Sequence, residues 1–268
     1  PALAGLAIAR GGVGGAYVAY AGLIVIAIGT LLVLRPRAPE GERRRVSLAA
    51  IAEGVRFVRQ RQVLLGAMAL DMFAVLFGGA VAMLPIYAEE ILKVGPRGYG
   101  LLTSSQAVGA FVTSVLLVAL PPVQRTGRAL LFAVAAYGLA TAVFGLSRSF
   151  ALSLVAYGLT GAADQVSVVM RHTTIQLATP DELRGRVSSV SMVFIGASNQ
   201  LGAVESGLVA AVTSATFAVV SGGVGCVAVV GAIAAKMPEL RRYRITQTLP
   251  ELGPQPGASA VPGAAPTP

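Results

Sequence analysis

Long apolar runs recur along the chain, separated by short stretches that carry most of its basic residues. The runs at 17–34, 63–87, 98–120, 129–147, 150–178, 187–211 and 215–235 each approach the roughly 20 residues that a helix needs to cross a bilayer. They predict seven spanning helices. Residues 1–9, PALAGLAIA, are apolar but short, and are expected to close a further helix. Gly11, Gly12, Gly14 and Gly15 would then turn the chain into the first complete span. Pro1 stands where a start methionine would, and no basic, apolar and small-residue order of a signal peptide follows, so a piece of a longer polypeptide is expected.

Residues 35–62 break the apolar pattern. Arg35-Pro36-Arg37 and Arg43, Arg44 and Arg45 lead into Leu48, Ile51, Val55 and Val58 at helical spacing, with Ser47 as an expected cap and Glu53, Arg56 and Arg59 facing elsewhere. The pattern predicts an amphipathic helix along the inner membrane surface, either a connector held by anionic lipid or a regulatory, partner-binding helix. From 250 onward, PELGPQPGASAVPGAAPTP has six prolines in nineteen residues and reads as a flexible tail. The expected divisions are 1–34 (the end of one helix and a complete span), 35–62 (a cytoplasmic loop), 63–235 (six spans) and 236–268 (a cytoplasmic disordered tail).

Composition agrees with the pattern. Hydrophobic residues make up 55% of the chain and charged ones 12%, with a mean hydropathy of +0.74. That leaves too little polar surface for a water-soluble particle of this size. A disordered chain, a disulfide scaffold and a soluble two-domain enzyme are thereby excluded. The net charge of +9 changes the picture only through its placement. Segments 35–62, 121–128, 171–186 and 236–268 hold seventeen of the twenty-one basic residues; Arg10, Lys93, Arg97 and Arg148 are the others. Alternate loops therefore share one side, the cytoplasmic one, and the charge reports topology instead of a nucleic-acid partner. The single cysteine, Cys226, is expected to be a small buried or lipid-facing side chain.

Three carboxylates lie inside predicted spans: Asp71 in 63–87, Asp164 in 150–178 and Glu205 in 187–211. Each costs about 2.5–3.5 kcal/mol to insert at the helix centre. Asp164, with fourteen span residues on either side, is expected near the midplane. Each has two readings: a proton carrier or cation contact in a water-filled pathway, or a buried carboxyl paired to a neighbouring helix. Gly78, Gly79 and Pro85 predict a bent or closely packed helix beyond Asp71. Span 187–211 carries a polar seam that includes Ser198, Asn199, Gln200 and Ser206, with Ser198, Gly202, Glu205 and Ser206 on one face. Such a seam lines a path or glues helices. His172 is an interfacial side chain or a proton relay. Thr179 is expected to cap a helix beginning at Pro180, with Glu182 at the capping-box position. Arg184 and Arg186 would then stand at a cytoplasmic mouth and pair with carboxylates on moving helices.

No HExxH, GxSxG, P-loop or Cys/His metal spacing occurs, and the chain has one histidine. Neither an enzyme nor a metal or organic cofactor is expected.

The runs Gln124-Arg125-Thr126-Gly127-Arg128, Glu53-Gly54-Val55-Arg56-Phe57-Val58-Arg59, Pro180-Asp181-Glu182-Leu183-Arg184-Gly185-Arg186-Val187 and Ser198-Asn199-Gln200-Leu201-Gly202 with Glu205-Ser206-Gly207 together resemble the C-terminal half of a major facilitator superfamily exporter. Within that superfamily the likeness is to the enterobactin-exporter branch of bacterial siderophore and drug efflux proteins, over about residues 1–245. The resemblance implies an all-α membrane fold of twelve helices in two halves. Residues 1–9 would end the fifth helix, with Pro1 and Gly5 matching the tail of an antiporter GPxxxG-like motif, and 17–34 would be the sixth. The spans from 63 onward would be the seventh to twelfth, with Asp71 and Asp164 on the cavity-lining seventh and tenth.

It further implies proton-coupled export of a siderophore or drug across a bacterial inner membrane by alternating access, powered by the proton gradient. Asp164 and Asp71 would alternate between proton and substrate with Glu205 assisting, while Arg125, Arg128, Arg184 and Arg186 close the cytoplasmic gate. Expected partners are the small-molecule substrate, the lipid bilayer and the missing N-terminal half or a second chain. The competing expectation is a non-transporting half-transporter remnant that acts as a membrane interaction protein. A passive channel stands third, because the seam forms no ring of like charge.

Overall fold

A computed structural model describes residues 2–33, 48–78 and 80–245. The chain runs through α1 (Ala2–Val33), α2 (Leu48–Gln60), α3 (Gln62–Phe77), α4 (Ala80–Ile86) with a π-helical turn at Tyr87–Ile91, α5 (Gly95–Ala119), α6 (Thr126–Leu146), α7 (Phe150–Ala178), α8 (Asp181–Val212), α9 (Ala215–Lys236) and α10 (Pro238–Arg242). There is no strand among the described residues. Among the described residues seven helical stretches are long and apolar enough to cross a membrane, with α3, α4 and the π-turn counting as one. Arg35, Arg37, Arg43, Arg44 and Arg45, the cap expected at Ser47, Gly79, and the tail from 246 lie outside the described residues.

Two of the sequence expectations are corrected. The turn expected over Gly11–Gly15 contracts to one residue, Gly12, whose φ of 66° and ψ of −178° interrupt an otherwise continuous α1. The glycine has no Cβ to oppose that conformation. Helix α8 starts at Asp181, within one residue of the start expected at Pro180, and its first six residues precede the apolar run because they are helical but polar. Thr179 does not cap α8 but closes α7: its hydroxyl donates to the Ile175 carbonyl at 2.6 Å, and Pro180 takes the N-cap position of α8. One residue closes α7 and the next opens α8, so the Thr179 side chain turns back along the helix it ends.

Three apolar clusters stack along the molecule. At the end that carries most of the arginines, Val58 of α2 packs with Leu64 and Met68 of α3, Ile175 of α7 and Val187 and Val190 of α8. The apolar face of α2 is thus partly spent on protein instead of lipid. In the middle, Leu70, Leu130, Val134, Met170, Cys226 and Val230 bring α3, α6, α7 and α9 together. At the far end Phe144 sits between Tyr87 and Tyr157, with ring centroids 4.7 and 5.1 Å away, and the Tyr87 hydroxyl donates to the Gly145 carbonyl at 2.7 Å.

Helices α5 and α7 approach through small residues. A Cβ on Gly161 would lie 2.0 Å from the Gln106 carbonyl oxygen, and one on Gly109 2.0 Å from that of Gly158. Such contacts between backbones hold helices together where lipid provides no hydrophobic drive. Helix α1 lies along α5, and its apolar side chains, Tyr17, Leu23 and Ile26 among them, are exposed, as befits a helix facing hydrocarbon.

Candidate functional site

A cavity of about 430 Å³ opens among α3, α5, α6, α7 and α8, and Asp71, Gln106, Tyr137, Asp164, Asn199 and Gln200 supply its polar lining. Two of the three intramembrane carboxylates therefore meet at one place. Helix α3 delivers Asp71 two turns before it breaks at Gly78. The break frees backbone groups, and the Tyr137 hydroxyl donates to the Gly78 carbonyl at 3.3 Å across the cavity wall. Of the bent or closely packed helix expected from Gly78, Gly79 and Pro85, the structure shows an interruption and close packing at Gly78, where a Cβ would lie 2.6 Å from the Tyr137 hydroxyl. In apolar surroundings a partner for the freed carbonyl is what makes the interruption tolerable.

The two aspartates have different surroundings. Asp71 is buried, 7% exposed, and forms an ion pair with Arg171 of α7, itself 3% exposed. Arg171 falls inside the predicted span 150–178 but is tallied with the cytoplasmic segment 171–186; the structure buries it within the helix. The guanidinium cannot shed its proton, so a carboxylate partner is the only local means of neutralising it. Its Nε, also buried, has no hydrogen-bond partner among the described residues. Asp164, by contrast, is exposed to the cavity and in no ion pair among the described residues. Asp164, Ser167 and Arg171 follow one face of α7 at i, i+3 and i+7.

Sequence reasoning missed Arg171 although a signal existed. Asp71 lies nine residues from the start of α3 and Arg171 seven from the end of α7, both at the arginine-rich end. At about 1.5 Å rise per residue the two opposite charges sit at similar depth.

The polar seam of α8 divides. Asn199 and Gln200 line the cavity. Ser198 and Ser206 are buried on the adjoining face, where the Ser198 hydroxyl donates to the Phe194 carbonyl at 2.7 Å. Gly202 between them abuts the Val75 carbonyl of α3 so closely that a Cβ would lie 2.6 Å away. Glu205 is half-buried, accepts a hydrogen bond from Ser206 at 3.3 Å, and does not line the cavity. His172 is exposed on α7.

The four arginines expected at one gate fall into two groups. Arg186 pairs with Glu53 of α2, and Arg184 with Asp181 one turn away at 2.6 Å. Arg125 and Arg128 stand elsewhere, beside Arg241, Arg242 and Arg244. Glu53 is more than half exposed in its side chain, so Glu53→Gln is expected to cost no more than about 1 kcal/mol in a detergent unfolding titration. Among the described residues no group of three or more His, Cys, Asp or Glu side chains is placed to hold a metal ion.

The profile of a family described as transmembrane secretion effector, within the major facilitator superfamily, matches residues 1–254. The chain is 26% identical over 252 residues to the enterobactin exporter EntS of Escherichia coli strain SMS-3-5 / SECEC, covering 94% of this chain and 60% of the relative. The EntS proteins of Shigella boydii serotype 18 and Escherichia coli O157:H7 give the same identity and coverage. The chain thus spans 60% of the length of these curated relatives. No solved structure matches it.

Proposed function

The chain belongs to the transmembrane secretion effector family of the major facilitator superfamily, and on that premise we propose that it is the C-terminal six-helix half, with the helix before it, of a proton-coupled exporter working by alternating access. The single observation that carries this reading is the pairing of unlike aspartates at one cavity: Asp71 neutralised by a buried arginine, Asp164 open and without a cation.

A carboxylate facing a membrane cavity is costly while charged, and binding a proton or a cationic group of a substrate removes that cost. Asp164 is the exchangeable site in this reading. Its two occupants compete, so loading one from one side of the membrane releases the other. Asp71 and Arg171 tie α3 to α7, and α8 contributes amide donors and acceptors from Asn199 and Gln200 that orient a bound molecule. A differential affinity of a few kcal/mol between inward- and outward-facing states is enough to drive the exchange. Glu205 has a supporting place behind the cavity wall. Arg186, through Glu53, links the surface helix to α8 as part of the cytoplasmic closure.

The relatives' printed name favours a siderophore as the substrate class, with drug-like amphiphiles as the wider one. The basic end, including the tail, faces the cytoplasm of a bacterial inner membrane. The rest of the polypeptide or a second chain completes the cavity, the proton gradient supplies the energy, and no cofactor takes part.

The test is transport of a catecholate siderophore by the native polypeptide in vesicles with an imposed pH gradient. Asp164→Asn is expected to abolish the gradient-driven component. Because Asp164 is exposed and unpaired, stability should stay within about 0.5 kcal/mol of the parent. Gradient-driven transport that survives the substitution refutes the proton role. A variant that fails to fold or assemble instead favours the non-transporting interaction protein.

A further inference from the structure

The Gln124-Arg128 run acquires a different meaning from its packing. Gly127 stands in the first turn of α6, where a Cβ would lie 1.7 Å from the Leu240 carbonyl oxygen of α10. Only glycine admits that approach. Leu240 is buried under it, 1% exposed, and beyond α10 the Ile245 N–H donates to the Gln124 carbonyl at 2.9 Å. The segment after α9 is thereby strapped beneath the start of α6. Arg125 at the N-cap of α6 and Arg128 in its first turn meet three arginines that follow the last span.

The product is a cavity of about 660 Å³, ringed by Arg125, Arg128, Arg241, Arg242 and Arg244. Its floor is apolar, formed by Leu131, Phe132 and Ala135 of α6 with Val230 and Ala234 of α9. Among the described residues no carboxylate lines it, and none of the five guanidinium groups is in an ion pair. Five like charges around one groove repel one another unless an anion joins them.

The chemistry of that anion follows from the floor. A free phosphate needs donors on all sides and gains nothing from Phe132 or Val230. A phosphate that carries an apolar chain uses both. From Phe132, which is 67% exposed, the same face of α6 continues through Leu139 and Leu146, also exposed. The groove therefore opens onto the surface that acyl chains cover, at the helix ends where head groups lie. Tyr243 also lines the groove, and its phenol, pushed above its ordinary range by burial, offers a hydroxyl donor.

We propose that this groove is a binding site for an anionic glycerophospholipid, with its phosphate held by the arginine ring and one acyl chain laid over the Phe132–Val230 floor. Guanidinium groups hold phosphate oxygens in pairs, which favours arginine over lysine here. Basic pockets between spanning helices recognise anionic head groups in this way. The site lies apart from the Asp71–Asp164 cavity, so it stands or falls independently of the transport reading.

Native mass spectrometry of the delipidated native polypeptide, titrated with phosphatidylglycerol or phosphatidylcholine, reads the site directly. Phosphatidylglycerol is expected to bind roughly tenfold more tightly. The triple variant Arg125→Gln, Arg128→Gln, Arg241→Gln should lose that preference, and the charge-matched variant Lys93→Gln, Arg97→Gln, Arg148→Gln at the other end should keep it. Arg242→Glu, an exposed position on α10, gives a second reading if the triple variant fails to fold, and should also lose the preference. Inorganic phosphate at the same concentrations should neither remain bound nor displace the lipid. Equal affinity for the two lipids, a preference unmoved by the arginine variants, an equal loss in the charge-matched variant, or saturation by inorganic phosphate alone would each overturn the proposal.

Discussion

Asp71→Asn alone is expected to destabilise the protein by about 3–5 kcal/mol, whereas the double variant Asp71→Leu, Arg171→Met should recover most of that loss. The asymmetry follows from what each change leaves behind. Arg171 is almost wholly buried, its Nε already lacks a partner, and its charge cannot be titrated away. Removing the carboxylate strands that charge in apolar surroundings. Removing both groups strands nothing and leaves two side chains that pack. A double-mutant cycle, read by unfolding of the native polypeptide in mixed micelles, measures the coupling. A cost for Asp71→Asn below about 1 kcal/mol would mean that water or lipid head groups reach Arg171, and that the pair does not clamp α3 to α7.

The second large effect is expected at the seam between α5 and α7. Gly161→Val should cost about 1–3 kcal/mol or more, because the new side chain meets the Gln106 backbone, which cannot rotate out of the way. The damage should extend beyond stability. Gln106 is also a cavity residue, and a displaced α5 carries it away from Asp164. Substrate affinity should therefore fall along with the unfolding midpoint, whereas Gly207→Ala, at an open position on α8, should leave both unchanged. A Gly161→Val protein with the parental midpoint would show that the two helices are not held at this distance.

Hydropathy made the spans legible because a bilayer demands long apolar helices, and α6, α7 and α9 begin and end within a few residues of the predicted runs. It reads membrane, however, and not helix. Asp181–Arg186 is polar, so α8 starts earlier than its apolar run. Charge counting identified Asp71 and Asp164 as unusual but placed Arg171 with the loop, since a tally by segment ignores depth along a helix. Helical spacing put Ser198, Gly202, Glu205 and Ser206 on one face, of which Ser198, Gly202 and Ser206 are buried and Glu205 half-buried, yet spacing does not say what that face meets. The packing against Val75 shows glue there, with Asn199 and Gln200 turned to the cavity beside it. The arginine motifs looked alike as short sequences. Their neighbours, Glu53 for Arg186 and Leu240 for Gly127, lie more than a hundred residues away in the chain.

The junction at Thr179 and Pro180 has a consequence for anyone recombining this protein with a relative. Helices of 29 and 32 residues meet there with one residue closing the first and the next opening the second. No slack exists to absorb a mismatch in length or tilt. A crossover placed at this point would join two long rods at an angle that neither parent encodes, and the error at the distal ends would grow with rod length. Chimeras should carry α7 and α8 as a single cassette and take their breakpoints at 120–125, where six residues separate α5 from α6.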